Sequence, residues 1–138
     1  MEAQSYDYFE HDADIGVIGR GRSVTEAFAS AAQAMFAIMT DLTQVGHTLT
    51  VQVEFEESDV ELALVTWLNR LLAAAREHGA VFSRFCLERR GDRWVGEAIG
   101  EVWTPRMERG VEVKGATLTM LSVRERDGQW EARCVVDV

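Results

Sequence analysis

Residues 49–79, LTVQVEFEESDVELALVTWLNRLLAAAREHG, decide the fold class. Leu49, Val51, Val53 and Phe55 alternate with Thr48, Thr50, Gln52 and Glu54, the period-two pattern of a half-buried strand. The period then changes. Leu64, Val65, Leu68, Leu71, Leu72 and Ala75 recur three and four residues apart, the apolar stripe of a core-facing helix. Ser58, three residues before Glu61, reads as a capping box that satisfies orphan amides at the helix start, and Gly79 reads as its C-terminal stop. A one-faced strand beside a one-striped helix implies a helix layer on a sheet.

The flanking sequence repeats both devices. Upstream, Ser23-Val-Thr-Glu26 is a second capping box, followed by Val24, Phe28, Ala31, Met35 and Ile38 at helical spacing. Phe9 to Gly21 reads as an extended segment broken near Ala13. Downstream, Val81–Arg89 and Arg93–Trp103 are strand-like runs joined by Arg90-Gly91-Asp92. Thr117–Arg126 and Gln129–Val136 flank Asp127-Gly128, two residues that tolerate the positive φ of a type I′ hairpin turn. Pro105–Gly110 reads as a loop. Without a linker, repeat or low-complexity stretch, residues 1–138 read as one α+β domain. It is a two-layer sandwich with two helices packed on one face of a mostly antiparallel sheet.

Composition narrows function. Of 138 residues, 47% are hydrophobic and one is proline, which suits a packed core. No run approaches the roughly 18 apolar residues of a membrane span. Met1–Tyr8 is polar and acidic, unlike a signal peptide, so the cytoplasm is the expected compartment. Cys86 and Cys134 lie far apart in apolar runs and read as buried thiols. The net charge of −9 opposes a phosphate backbone, so direct RNA or DNA binding is not expected; a cation or a basic protein surface suits better.

Three stretches could carry chemistry. His11-Asp12-Ala13-Asp14-Ile15-Gly16 places two carboxylates and an imidazole within four residues, followed by a glycine that permits an unusual backbone. If extended, it sets Asp12 and Asp14 on one face and His11 on the other, and hard cations favour such oxygen donors. A solvated loop is the plainer alternative. Cys134-Val-Val-Asp137-Val138 ends on an apolar strand, where Asp137 and an α-carboxylate concentrate negative charge; a cation, a basic side chain or simple fraying would resolve it. Lys114, within Gly110–Thr117, reads as a surface lysine on a strand, or as one that neutralises carboxylates or meets a partner. No P-loop, GxGxxG, HExxH or nucleophile elbow is present.

HDADIG at 11–16, SVTEAF at 23–28, MTD at 39–41, LVTWLNRLL at 64–72, GVEVKGAT at 110–117 and the terminal Val-Asp-Val occur in one order. In that order, over essentially the whole chain, the sequence resembles the archease family. The resemblance implies a small α+β protein that is not itself an enzyme but a cofactor of the RtcB-type RNA ligase of tRNA splicing and RNA repair. It would promote guanylylation of the ligase's histidine and multiple turnover through a divalent metal, typically calcium. It further implies Asp14, Asp137 and Val138 as metal ligands and Lys114 as an activity residue outside the ligand set; Asp12 and His11, beside Asp14 in sequence, are candidate neighbours behind the ligands. The family usually has Thr where this chain has Asp12, Asp where it has Arg22, and Thr-Tyr-His where it has Thr117-Leu118-Thr119. Two competing functions are a broader chaperone-like module for nucleic-acid-processing enzymes and a metal-dependent phosphoester hydrolase using Asp12, Asp14 and Asp137.

Overall fold

The computed structural model describes residues 5–138. The chain runs β1 (Tyr6–His11), β2 (Asp14–Gly21), α1 (Val24–Met39), β3 (Leu49–Glu56), α2 (Val60–His78), β4 (Ala80–Arg90), β5 (Arg93–Val102), β6 (Gly115–Ala116), β7 (Ser122–Arg126) and β8 (Gln129–Asp137), with a 3₁₀ turn at Leu42–Gln44. Every strand pairing is antiparallel. The α+β sandwich is borne out, and the strands divide between two sheets. One has the order β1-β2-β8-β6 with β7 also on β8, the other β3-β5-β4.

That division explains why α1 is apolar nearly all round. Phe28, Ala31 and Met35 are buried as their spacing predicts, but so are Ala27, Ala32, Ala34 and Phe36. The helix packs on β2 and β8 of one sheet and on β4 of the other, so one stripe would not suffice. It rests directly on β2 at Gly19, where an added Cβ would overlap the backbone of Ala27 and Ala31. Beneath α2, Trp94 stacks between Phe28 and Phe55, with centroids 5.2 and 5.9 Å away. The indole N–H of Trp67 donates to Phe28 O and that of Trp94 to Glu57 O, both at 3.0 Å, so neither large core residue leaves a buried donor unpaired.

Ser23 caps α1 as expected, its Oγ accepting from Glu26 N at 3.2 Å. The start of α2 differs from expectation. Asp59, not Ser58, is the N-cap, and its Oδ1 accepts from Glu61 N at 2.9 Å and Leu62 N at 3.1 Å. A carboxylate both accepts these bonds and suits the positive end of the helix dipole. Gly79 closes α2 in the left-handed region, φ 59° and ψ 41°. Asp127 and Gly128 both have positive φ, as the hairpin reading required.

Three further expectations change. The segment from Phe9 to Gly21 is a hairpin, its break being a tight turn at Asp12-Ala13. The run from Thr117 becomes β7 only at Ser122, after a turn in which Met120 takes φ 55°. Cys134 is buried but Cys86 is exposed, because Phe85 and Leu87 face inward and strand alternation turns Cys86 outward. Burial pushes the Cys134 thiol up to about 12, so it stays neutral.

Candidate functional site

The β1–β2 turn places His11 opposite Asp14, with Asp12 and Ala13 between them. Asp12 has φ 53°, a region that Asp tolerates and β-branched residues resist. This overturns the shared face of Asp12 and Asp14: Asp12 stands at the apex of the turn with its side chain 92% exposed, 3.8 Å from His11 Nδ1. The role of Gly16 is also not an unusual φ. Phe9, across the ladder, lays its ring where a Gly16 side chain would stand.

From this turn β2 pairs with β8, Ile15 opposite Val136. Continuing the register by one residue sets Asp14 beside Asp137. The start of β2 and the last residue are joined there, because the N–H of Val138 donates to Asp14 Oδ1 at 3.2 Å. On the other side of β8, β6 sets Gly115 opposite Asp137 and Ala116 opposite Val136, and Lys114 N donates to Asp137 O at 2.8 Å. Asp14, Asp137 and the Lys114–Gly115 strap therefore occupy three adjacent strand positions, roughly 10 Å across by ordinary strand spacing. The structure brings together Asp14, Asp137, Val138 and the Lys114 backbone, places His11 beside them, and leaves Asp12 at the turn. Lys114 precedes β6 instead of lying on a strand, and its side chain is exposed and makes no ion pair among the described residues.

Sequence reading missed the residues that hold the strap. Asn69 of α2 donates from Nδ2 to Ala116 O at 3.1 Å and accepts from Ala116 N at 2.9 Å on Oδ1, completing β6 from the side away from β8. Arg76 Nη2 donates to Val113 O at 3.2 Å and Lys114 O at 2.6 Å. Val113 itself is buried as an apolar anchor. Upstream, the irregular stretch after β5 is pinned to the end of α1: Gly110 N and Val111 N donate to Met39 O and Ile38 O, and Thr40 Oγ1 donates to Glu108 O. A polar Asn inside Leu-Val-Thr-Trp-Leu-Asn-Arg-Leu-Leu was the available clue, since a half-buried amide needs partners.

The Met39-Thr40-Asp41 motif is likewise structural. Asp41 caps the 3₁₀ turn, and hydrogen bonds from the Thr43 hydroxyl and amide hold its carboxyl below the usual range.

Sequence models and solved structures place this architecture. A model of the Archease protein family matches residues 6–138. The chain belongs to the archease family. It is 35% identical over 136 residues to the archease of Sulfolobus acidocaldarius, covering 96% of this chain and 98% of that one. It is 31% identical over 141 residues to the archease of Pyrococcus furiosus, covering 98% and 99%. The solution structure of Methanobacterium thermoautotrophicum protein 1598 superposes with a TM-score of 0.84 at 30% identity, covering 99% of this chain and all of that one. A crystal structure of a Thermotoga maritima archease, described as a possible chaperone, shares the fold with a TM-score of 0.66 at 19% identity over 94% of each chain. The resemblance read from the motifs is thus borne out, and the motifs themselves cap helices, close turns and shape this one corner.

The donor set at the corner has a definite chemistry. Among the described residues, no group of three or more His, Cys, Asp or Glu side chains converges as a metal cluster. Asp14, Asp137 and the main-chain oxygen of Val138 are all oxygen donors, the type hard cations take. They number fewer than the six to eight oxygens calcium prefers, so water or a partner would supply the rest. No helix is long and apolar enough to cross a membrane among the described residues.

Proposed function

We propose that this chain is a non-catalytic activator of an RtcB-type RNA ligase, acting in tRNA splicing and RNA repair through a divalent cation, calcium in the first instance, held by Asp14, Asp137 and Val138. Membership of the archease family supports an accessory role, and the hydrogen bond from Val138 N to Asp14 carries the assignment to this corner. An incomplete oxygen shell suits a cation shared with a partner, whose own groups finish the coordination. The acidic chain then presents its metal-bearing end to an enzyme whose RNA groove is basic, and long-range attraction speeds the encounter. Lys114, whose main chain is fixed by Asp137 and Arg76, projects its ammonium beside the docked end as an activity residue.

The test is guanylylation. A purified RtcB-type ligase would be incubated with radiolabelled GTP and metal, with and without the chain, and the labelled ligase counted. The proposal predicts faster and fuller labelling with the chain present, and a return towards the basal level with Lys114→Ala. Equal labelling in all arms would remove the activator role.

The possible-chaperone description of the Thermotoga maritima protein supports a second reading, a general holding module for nucleic-acid enzymes. It predicts protection of several unrelated enzymes from aggregation, with no dependence on a chelator.

A further inference from the structure

The outer face of the five-stranded sheet has two chemically opposite ends. Tyr8 turns inward, its hydroxyl donating to Ala34 O of α1, so Phe9 and His11 lie outward with Asp14 and Asp137. At the far end of β8, four to six residues or about 13–20 Å away, the same face carries guanidinium groups. Ser122 and Arg133 are directly opposite in the β7–β8 ladder, as are Arg124 and Glu131. Arg124 and Arg126 follow Ser122 at even spacing and therefore share its face.

These residues line a cleft of about 390 Å³, with Met120 at one edge. Three guanidinium groups, Arg124, Arg126 and Arg133, face one carboxylate, Glu131. That carboxylate is already engaged by Arg133 at 2.6 and 3.2 Å and by Arg20 at 3.4 Å. Burial would raise its pKa, but the hydrogen bonds and charges of Arg133 and Arg20 hold it below the usual range. Neither Arg124 nor Arg126 has an ion-pair partner among the described residues.

Ser122 supplies the second, independent observation. It is only 9% exposed, yet its Oγ is sealed from solvent and has no hydrogen-bond partner among the described residues. Ser83 Oγ and Thr104 Oγ1 are likewise buried without a partner, but of the three only Ser122 lines a cleft of guanidinium groups, where an anion would give it one. Beside it Met120 holds a strained positive φ of 55° and is 55% exposed at the edge of the cleft.

We infer that this cleft binds a phosphoryl group, with Arg124, Arg126 and Arg133 contacting the oxygens and Ser122, in the cleft wall, donating only once its sealed Oγ rotates about χ1 towards the ligand. Three guanidinium charges less one carboxylate leave +2, which matches the roughly −1.5 to −2 of a phosphomonoester. The planar fork of arginine fits such oxygens, and all the cations at this end are arginines. The ligand is a phosphomonoester, free or at the end of a larger molecule, and the site stands whether or not the ligase reading holds. It also locates where an otherwise acidic chain tolerates an anion.

Amide spectra of the ¹⁵N-labelled chain would be titrated with inorganic phosphate, with GMP, and with a 5′-phosphorylated oligoribonucleotide. The expected result is saturable shifts confined to residues 122–126 and 131–133, with affinity falling as salt rises. Arg124→Gln and Ser122→Ala should each weaken binding about tenfold. Ser122→Ala should meanwhile unfold at the same or a higher temperature, because it deletes an orphaned hydroxyl. Tighter binding of GMP would identify a nucleotide site, and tighter binding of the oligoribonucleotide an RNA contact. No saturable shift at these amides with any probe, or shifts unchanged by both variants, would overturn the inference.

Discussion

Individual side chains show why Asp12 stands beside the acidic corner. Its positive φ makes it a turn residue, so the expected consequence of substitution is conformational. Asp12→Asn should leave thermal stability nearly unchanged, whereas Asp12→Thr should cost about 1–2 kcal/mol by forcing a β-branched residue into that region. Glu131 offers a test with a definite sign. Its folded pKa lies below the ordinary 4.5, so its stabilising contribution is present above that value and is lost as pH falls through the folded pKa. Glu131→Gln should destabilise the chain by about 2 kcal/mol at neutral pH and flatten the acid limb of its stability profile, measured by urea unfolding between pH 7 and 3. The two cysteines should separate cleanly in a thiol-reagent assay: Cys86 reacts in the native state, and Cys134 only on unfolding. The sequence placed both in apolar runs, but which one faced the core depended on the strand's phase, fixed by packing that no local pattern encodes.

Elements were more legible than the joints between them. Period changes revealed β3 and both helices, and Asp127-Gly128 fixed the last hairpin. The second sheet, the two-residue β6 and the shift of the α2 cap to Asp59 were not legible, because each depends on contacts between distant segments. The strap from Val113 to Ala116 is the clearest case. Two hydrogen bonds between Asn69 and Ala116 and two donated by Arg76 hold it against β8, and a helix stripe read for its apolar positions says nothing of them. Asn69→Leu should therefore cost about 2–3 kcal/mol, since it orphans both the N–H and C=O of Ala116. Hydrogen exchange should show faster opening at residues 113–117 while the β3-β5-β4 sheet keeps its protection.

For the whole molecule, the topology explains how distant motifs come to lie at one corner. Because β8 lies between β2 and β6, residues near positions 14, 115 and 137 become neighbours, and Val138 bonds to Asp14 at the start of β2. Motif reading paired Asp14 with Asp137 and Val138 through family resemblance; residue chemistry alone left them as separate features. The same sheet face carries guanidinium groups at its opposite end, giving an acidic corner and an arginine cleft on one surface. In the proposed role the acidic corner supports ligase turnover through its carboxylates. Multiple-turnover sealing of a broken RNA by an RtcB-type ligase, with wild-type chain or with Asp14→Ala, tests it most directly. The wild-type chain should sustain repeated turnover, and the folded Asp14→Ala protein should fall towards the level of ligase alone. Full turnover with Asp14→Ala would contradict it.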